Sequence, residues 1–285
     1  MCVKLIPIVF GLTFIIQVSW AQTTLPRKKI SSPGKSMSES YPQLSLDFSP
    51  TYNLQSEKQV DGSQAKYLYF QASPKVQMAR YVLTGYFYFY QNIDDPSDNE
   101  WDDSSLSLNR KPWDFGLYFL LTPYFNYGFP LSKKSRESSL LKSTVGTSLA
   151  ISLNSKNTGY PDVKAAYSLN GTKMFASSNV NSAGDPNIDW RIRQRLSASY
   201  EFYDSISFST RFQFDSAFNT AGEVTNAFLH FEQLEYYFND YFTAFFGHTN
   251  SNGLFNPETY QNNLKLYDNN SSEYYLGITL SLKNY

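Results

Sequence analysis

Between Ile188 and Phe218 apolar and polar side chains alternate with a period of two. Ile188, Trp190, Ile192, Leu196, Ala198, Tyr200 and Phe202 occupy even positions, with Asp189, Arg191, Arg193, Arg195, Ser197, Ser199 and Glu201 between them. After Tyr203-Asp204 the pattern resumes, with Ile206, Phe208, Phe212, Phe214 and Phe218 set against Ser205, Ser207, Ser209, Arg211, Gln213 and Asp215. Successive side chains of a strand point to opposite faces, so the stretch reads as two long strands joined by a tight turn. Both runs exceed the about 5–6 residues of a soluble strand. They suit a tilted membrane strand of about 9–11 residues with projecting ends.

Weaker alternation recurs at 43–52, 66–72, 80–90, 113–125, 140–153, 162–169, 172–177, 225–236, 240–249 and 273–284, which with the hairpin predicts about twelve strands, with ten or fourteen as the alternatives. Asn170-Gly171 supplies the dipeptide of a two-residue turn between the sixth and seventh. Placing both chain ends on one side puts the long polar connections 53–65, 91–112 and 250–272 on the other. The short turns at 73–78, Asn170-Gly171, Tyr203-Asp204 and 238–240 then fall beside the ends. The connection 126–139 is longer than that side should carry.

Composition turns this pattern toward a membrane. The chain of 285 residues holds 23 Tyr, 23 Phe and 4 Trp, 18% in all, and its mean hydropathy is −0.42. Soluble domains have little use for so many Tyr and Phe, whereas membrane barrels set them in girdles at both interfaces. Lys4, the apolar run Leu5 to Val18 and Ser19-Trp20-Ala21 predict a signal peptide over 1–21, cut before Gln22. Residues 22–40, rich in Ser and Pro, read as a flexible periplasmic lead-in to a barrel over 41–285. The sole cysteine, Cys2, precedes the apolar run, so the mature chain carries no disulfide. With 24 basic and 25 acidic residues the surface lacks the positive excess a nucleic-acid partner requires.

From 43 to the C-terminus the pattern resembles Gram-negative outer-membrane β-barrels as a class, and the chain ends in an aromatic residue, Tyr285, as these proteins do. Tyr285 shares parity with Thr279, Ser281 and Lys283 rather than with the apolar positions. The resemblance implies an all-β, antiparallel, up-and-down barrel in the outer membrane. It also implies contact with outer-membrane lipid and lipopolysaccharide, delivery by the envelope assembly machinery, and a monomer. A soluble β-sandwich is the competing fold and would have to bury its aromatic faces against each other.

Three functions share such a barrel. A passive channel would be lined by the polar face, namely Asp189, Arg191, Arg193, Arg195, Glu201, Arg211, Gln213 and Asp215, with His230 and Glu232 assigned to the same lumen. A structural or adhesive barrel would fill its lumen with ion pairs. A hydrolase is suggested by Phe246-Gly247-His248-Thr249-Asn250-Ser251-Asn252-Gly253, which resembles the His-x-Ser-Asn segment of outer-membrane phospholipase A and lipid A 3-O-deacylases. That resemblance implies His248 as base, Ser251 as nucleophile and Glu258 or Asn262 as orienting group. Here one extra residue separates His248 from Ser251, and strand positions three apart lie on opposite faces. The acidic stretch 94–103 lacks the ligand spacing of a calcium loop, and no phosphate loop, metal cluster or nucleotide fingerprint occurs, so no cofactor is expected. The channel is the favoured reading.

Overall fold

The computed structural model describes residues 42–58, 64–95, 99–254 and 264–283. The predicted signal peptide and lead-in lie outside them. Fourteen strand segments follow one another: β1 (Gln43–Lys58), β2 (Gln64–Gln77), β3 (Tyr81–Asn92), β4 (Asn99–Trp101), β5 (Ser104–Arg110), β6 (Trp113–Phe115), β7 (Phe119–Phe129), β8 (Leu141–Leu153), β9 (Val163–Ala176), β10 (Ile188–Tyr203), β11 (Ile206–Asn219), β12 (Val224–Tyr237), β13 (Phe242–Gly253) and β14 (Ser272–Lys283). β4 and β5 both pair with β3, and β5 and β6 both pair with β7, so these three short segments form a single interrupted strand. One interruption falls at Lys111-Pro112, where proline has no N–H to give the ladder. Twelve antiparallel wall strands result.

Each wall strand pairs with its sequence neighbours, and β1 pairs with β14 from Ser45↔Lys283 to Gln55↔Glu273. The ring is closed and leaves no edge, the condition a sheet must meet to cross lipid. Large side chains at even positions of β10 face outward, with Leu196 55% and Trp190 47% exposed, while odd positions turn inward. The register carries that phase around the barrel, so Thr84, Tyr86 and Tyr88 on β3, and Tyr124 and Asn126 on β7, line the interior.

The predicted number of strands holds, but two of its terms exchange. Asn170-Gly171 is no turn: β9 runs through it, with Gly171 opposite Thr147 on β8 and Ile192 on β10. A type I′ turn requires positive φ at both central residues, and neither Asn170 nor Gly171 has it. Conversely, the predicted loop 91–112 contains the β4–β5 strand. The segments near 113–125, 140–153 and 162–169 therefore run opposite to the predicted direction. The over-long connection 126–139 thus moves to the far rim, away from the chain ends, where it carries a short helical turn, Lys134–Ser138.

Part of the acidic stretch is likewise built in. Asp103 accepts hydrogen bonds from Ser132 N (3.1 Å), Ser132 Oγ (3.0 Å) and Ser135 Oγ, while Glu100 accepts Lys133 N at 3.0 Å. The β7–β8 connection is thereby tied to the interrupted strand beside it.

A substitution distinguishes strand from turn at Gly171, where an added Cβ would meet nothing within 4 Å. Gly171→Val is expected to leave stability unchanged or raise it by about 0.5–1 kcal/mol, measured by urea unfolding in lipid vesicles. A loss would restore the turn.

Candidate functional site

The central hairpin projects four guanidiniums into the barrel. Arg191, Arg193 and Arg195 recur every second residue on β10, and Arg211 stands on β11 opposite Ser197. Their neighbours on β9 are small and polar: Thr172 beside Arg191, Asn170 beside Arg193 and Ser168 beside Arg195. The row therefore projects from a wall of low relief.

Partners differ along this row. Arg193 Nε donates to Asp215 Oδ1 at 2.9 Å and Nη2 to Oδ2 at 3.2 Å, the parallel geometry that makes guanidinium–carboxylate pairs strong. Arg195 Nε donates to Gln213 Oε1 at 2.7 Å, and Gln213 Nε2 donates to Asp215 Oδ2 at 3.2 Å. Arg191 Nε is buried with no hydrogen-bond partner among the described residues. Arg211 lies over the Phe231 ring, 5.0 Å from its centre. Tyr124, on β7, is within electrostatic reach of both Arg195 and Arg211, and Tyr86, on β3, of Arg195, so the cations face phenols across the lumen.

No family model matches the chain, and no curated protein matches it. Among solved structures the chain is similar to the NanC porin, with TM-score 0.55 at 14% identity, covering 83% of this chain and 100% of that one. It is also similar to an outer-membrane channel from Pseudomonas putida F1, with TM-score 0.54 at 10% identity, covering 88% and 100%. The fold is that of outer-membrane β-barrel porins. In such a barrel the outward aromatic and aliphatic face meets lipid, and the inward polar face lines the lumen.

The porin fold distributes the predicted residues unequally. Arg191, Arg193, Arg195, Glu201, Arg211, Gln213 and Asp215 lie on the inward face, Glu201 near the rim that carries the chain ends, where Lys164 Nζ stands 3.6 Å away. Asp189 sits at a bulge and pairs with Lys173, whose amine lies 5.1 Å from the centre of the outward Trp190 ring. His230 and Glu232 do not line the lumen. They stand opposite Phe212 and Thr210 on the outward face, because Leu229 and Phe231 fill the inward positions of β12 instead. His230 is 1% exposed and stacked on Phe212 at 4.7 Å.

His248 and Ser251 do not meet. His248 is outward, opposite Glu232 and Tyr274, and Ser251 is inward, opposite Leu229. Glu258 and Asn262 lie outside the described residues. His248 Nε2 instead lies 3.0 Å from Ser272 Oγ, a hydroxyl that also accepts Asp268 N at 3.0 Å in a residue only 2% exposed. Alongside, Asn250 Nδ2 donates to Lys265 O at 2.5 Å and Ser271 Oγ donates to Asn250 Oδ1 at 2.6 Å. These bonds fasten the described end of the β13–β14 connection to the outer wall. Within that connection the Lys265 ammonium, 2.6 Å away, and the Asn270 N–H hold the Asp268 carboxyl below its usual range.

Sequence reasoning missed the inward tyrosines Tyr86, Tyr88, Tyr124 and Tyr275. Period two gave no signal on β3, where Tyr86 and Tyr88 alternate with the equally aromatic Phe87 and Phe89.

Proposed function

We propose that the barrel is a passive channel for small anionic solutes. The observation that carries this reading is the arginine row on β10 and β11, four inward cations of which only Arg193 is directly hydrogen-bonded to a carboxylate among the described residues. Charge lining a narrow aqueous path sets ion selectivity, because a permeating ion interacts with it after losing part of its water shell. The fold agrees with this reading, since two of the solved barrels it resembles are described as a porin and an outer-membrane channel. Purified protein in planar bilayers should show small conductance steps with a chloride-over-potassium preference.

Arg191→Gln together with Arg211→Gln should lower that ratio. A unit charge about 4 Å from the ion contributes about 1 kcal/mol in water, equivalent to roughly fivefold per arginine. His248→Ala should leave conductance and selectivity unchanged, because its side chain is on the lipid side of the wall. A silent protein, or a ratio indifferent to the arginines, would overturn the proposal.

A further inference from the structure

The four arginines are not equivalent, and one carboxylate makes the difference. Asp215 stands directly opposite Arg193 and takes two of its N–H groups. Both side chains of this pair are largely covered, 14% and 12% exposed. Gln213, two residues away on the same inward face, holds Arg195 through its carbonyl oxygen while its amide nitrogen donates back to Asp215. The chain Arg195–Gln213–Asp215–Arg193 is thus continuous, with the acceptor of each link occupied.

Arg191 and Arg211 stand outside it. Arg191 faces the apolar side chain of Ala217, and its buried Nε has no partner among the described residues. Arg211 faces Ser197 and rests on the flat Phe231 ring, a contact made through the guanidinium face rather than its edge donors. A guanidinium with no carboxylate beside it is in surroundings that favour an incoming anion, which supplies both charge and lone pairs.

We infer that Asp215 divides the ladder into a structural set, Arg193 on Asp215 with Arg195 held beside it through Gln213, and two separate solute-reading positions, Arg191 and Arg211, and so fixes how much cationic charge a passing anion meets. This rests on the channel reading and adds to it the residues that contact the solute. Six residues of strand, about 20 Å, separate the two positions, so a passing anion meets Arg191 and Arg211 in turn, and the anion recognised is one whose oxygens accept from a guanidinium, such as a carboxylate or another oxyanion.

Citrate, used as a polyanionic probe, should block the chloride current through the wild-type protein in planar bilayers. Arg191→Gln and Arg211→Gln should each raise the half-blocking citrate concentration about fivefold or more. The charge-neutral double variant Arg193→Gln/Asp215→Asn should leave it within about twofold of wild type. Asp215→Asn alone releases Arg193 and should lower it about fivefold. Folding of each variant is checked by heat-modifiable gel mobility, and should Asp215→Asn fail to fold, the double variant still decides. A double variant that loses block as fully as Arg191→Gln overturns the assignment, as does a conducting wild type that citrate leaves unblocked. A wild type without conductance overturns the channel reading, and this assignment with it.

Discussion

Leu196→Arg is expected to destabilise the barrel by about 2–4 kcal/mol, the cost of an arginine at the bilayer midplane on a lipid-facing strand position. Leu196 lies midway along the outward row of β10, between Trp190 toward the far rim and Phe202 beside the chain ends. Those aromatic residues mark the two interfaces, where Trp and Tyr rings gather in membrane barrels, so Leu196 falls near the centre of the apolar band. Ser199→Arg, three residues away on the inward face and opposite the small Ser209, should cost less than about 1 kcal/mol. Reversible urea unfolding in lipid vesicles measures both. Equal costs would mean that the two faces are wrongly assigned, and the lumen with them.

Gly247→Val should cost about 3 kcal/mol or more and could prevent assembly. A Cβ at Gly247 would come 2.1 Å from Tyr275 Oη and 2.5 Å from the backbone oxygen of Glu232. Tyr275 cannot readily withdraw: its ring is stacked on Phe231 at 5.8 Å and its hydroxyl donates to Glu232 O at 3.0 Å. Overpacking a filled interior usually costs about 1–3 kcal/mol, and here a backbone atom must move as well. Gly277 repeats the arrangement one strand along, where a Cβ would sit 2.4 Å from the Phe245 ring and 2.8 Å from Pro50 O. The comparison is Gly171→Val, tolerated in open space. If Gly247→Val unfolds in urea at the wild-type midpoint, the Phe231–Tyr275 stack does not hold Tyr275 in place against Gly247.

What the chain determined by itself is what period two can encode. Along 188–218 every second residue is apolar with few exceptions, so strand identity, the two faces and the hairpin were legible, with the turn displaced by one residue to Asp204-Ser205. The inward placement of the arginines follows from the same parity. Twelve strands were legible as a number but not strand by strand. Asn170-Gly171 has the composition of a turn, yet both residues are held in register by β8 on one side and β10 on the other, and that pairing overrides a local preference. Asn99 to Arg110, broken at Asp102-Asp103 and followed by Pro112, shows too short an alternation to be read locally and becomes strand by docking between β3 and β7.

Only the tertiary structure decided the phase of β12 and β13. In Ala227-Phe228-Leu229-His230-Phe231-Glu232-Gln233 apolar residues occupy both parities, so no rule of alternation tells which side faces lipid. The register with β11 settles it: Phe212 and Phe214, whose phase is clear, stand opposite His230 and Phe228. His230 thereby leaves the lumen, and Leu229 and Phe231 enter it, where Phe231 stacks on Tyr275 and carries Arg211. The partnering of Arg193 with Asp215 had the same origin. Twenty-two residues separate them in sequence, and their meeting depends on the exact offset of two strands, which a one-residue slip would send to opposite faces.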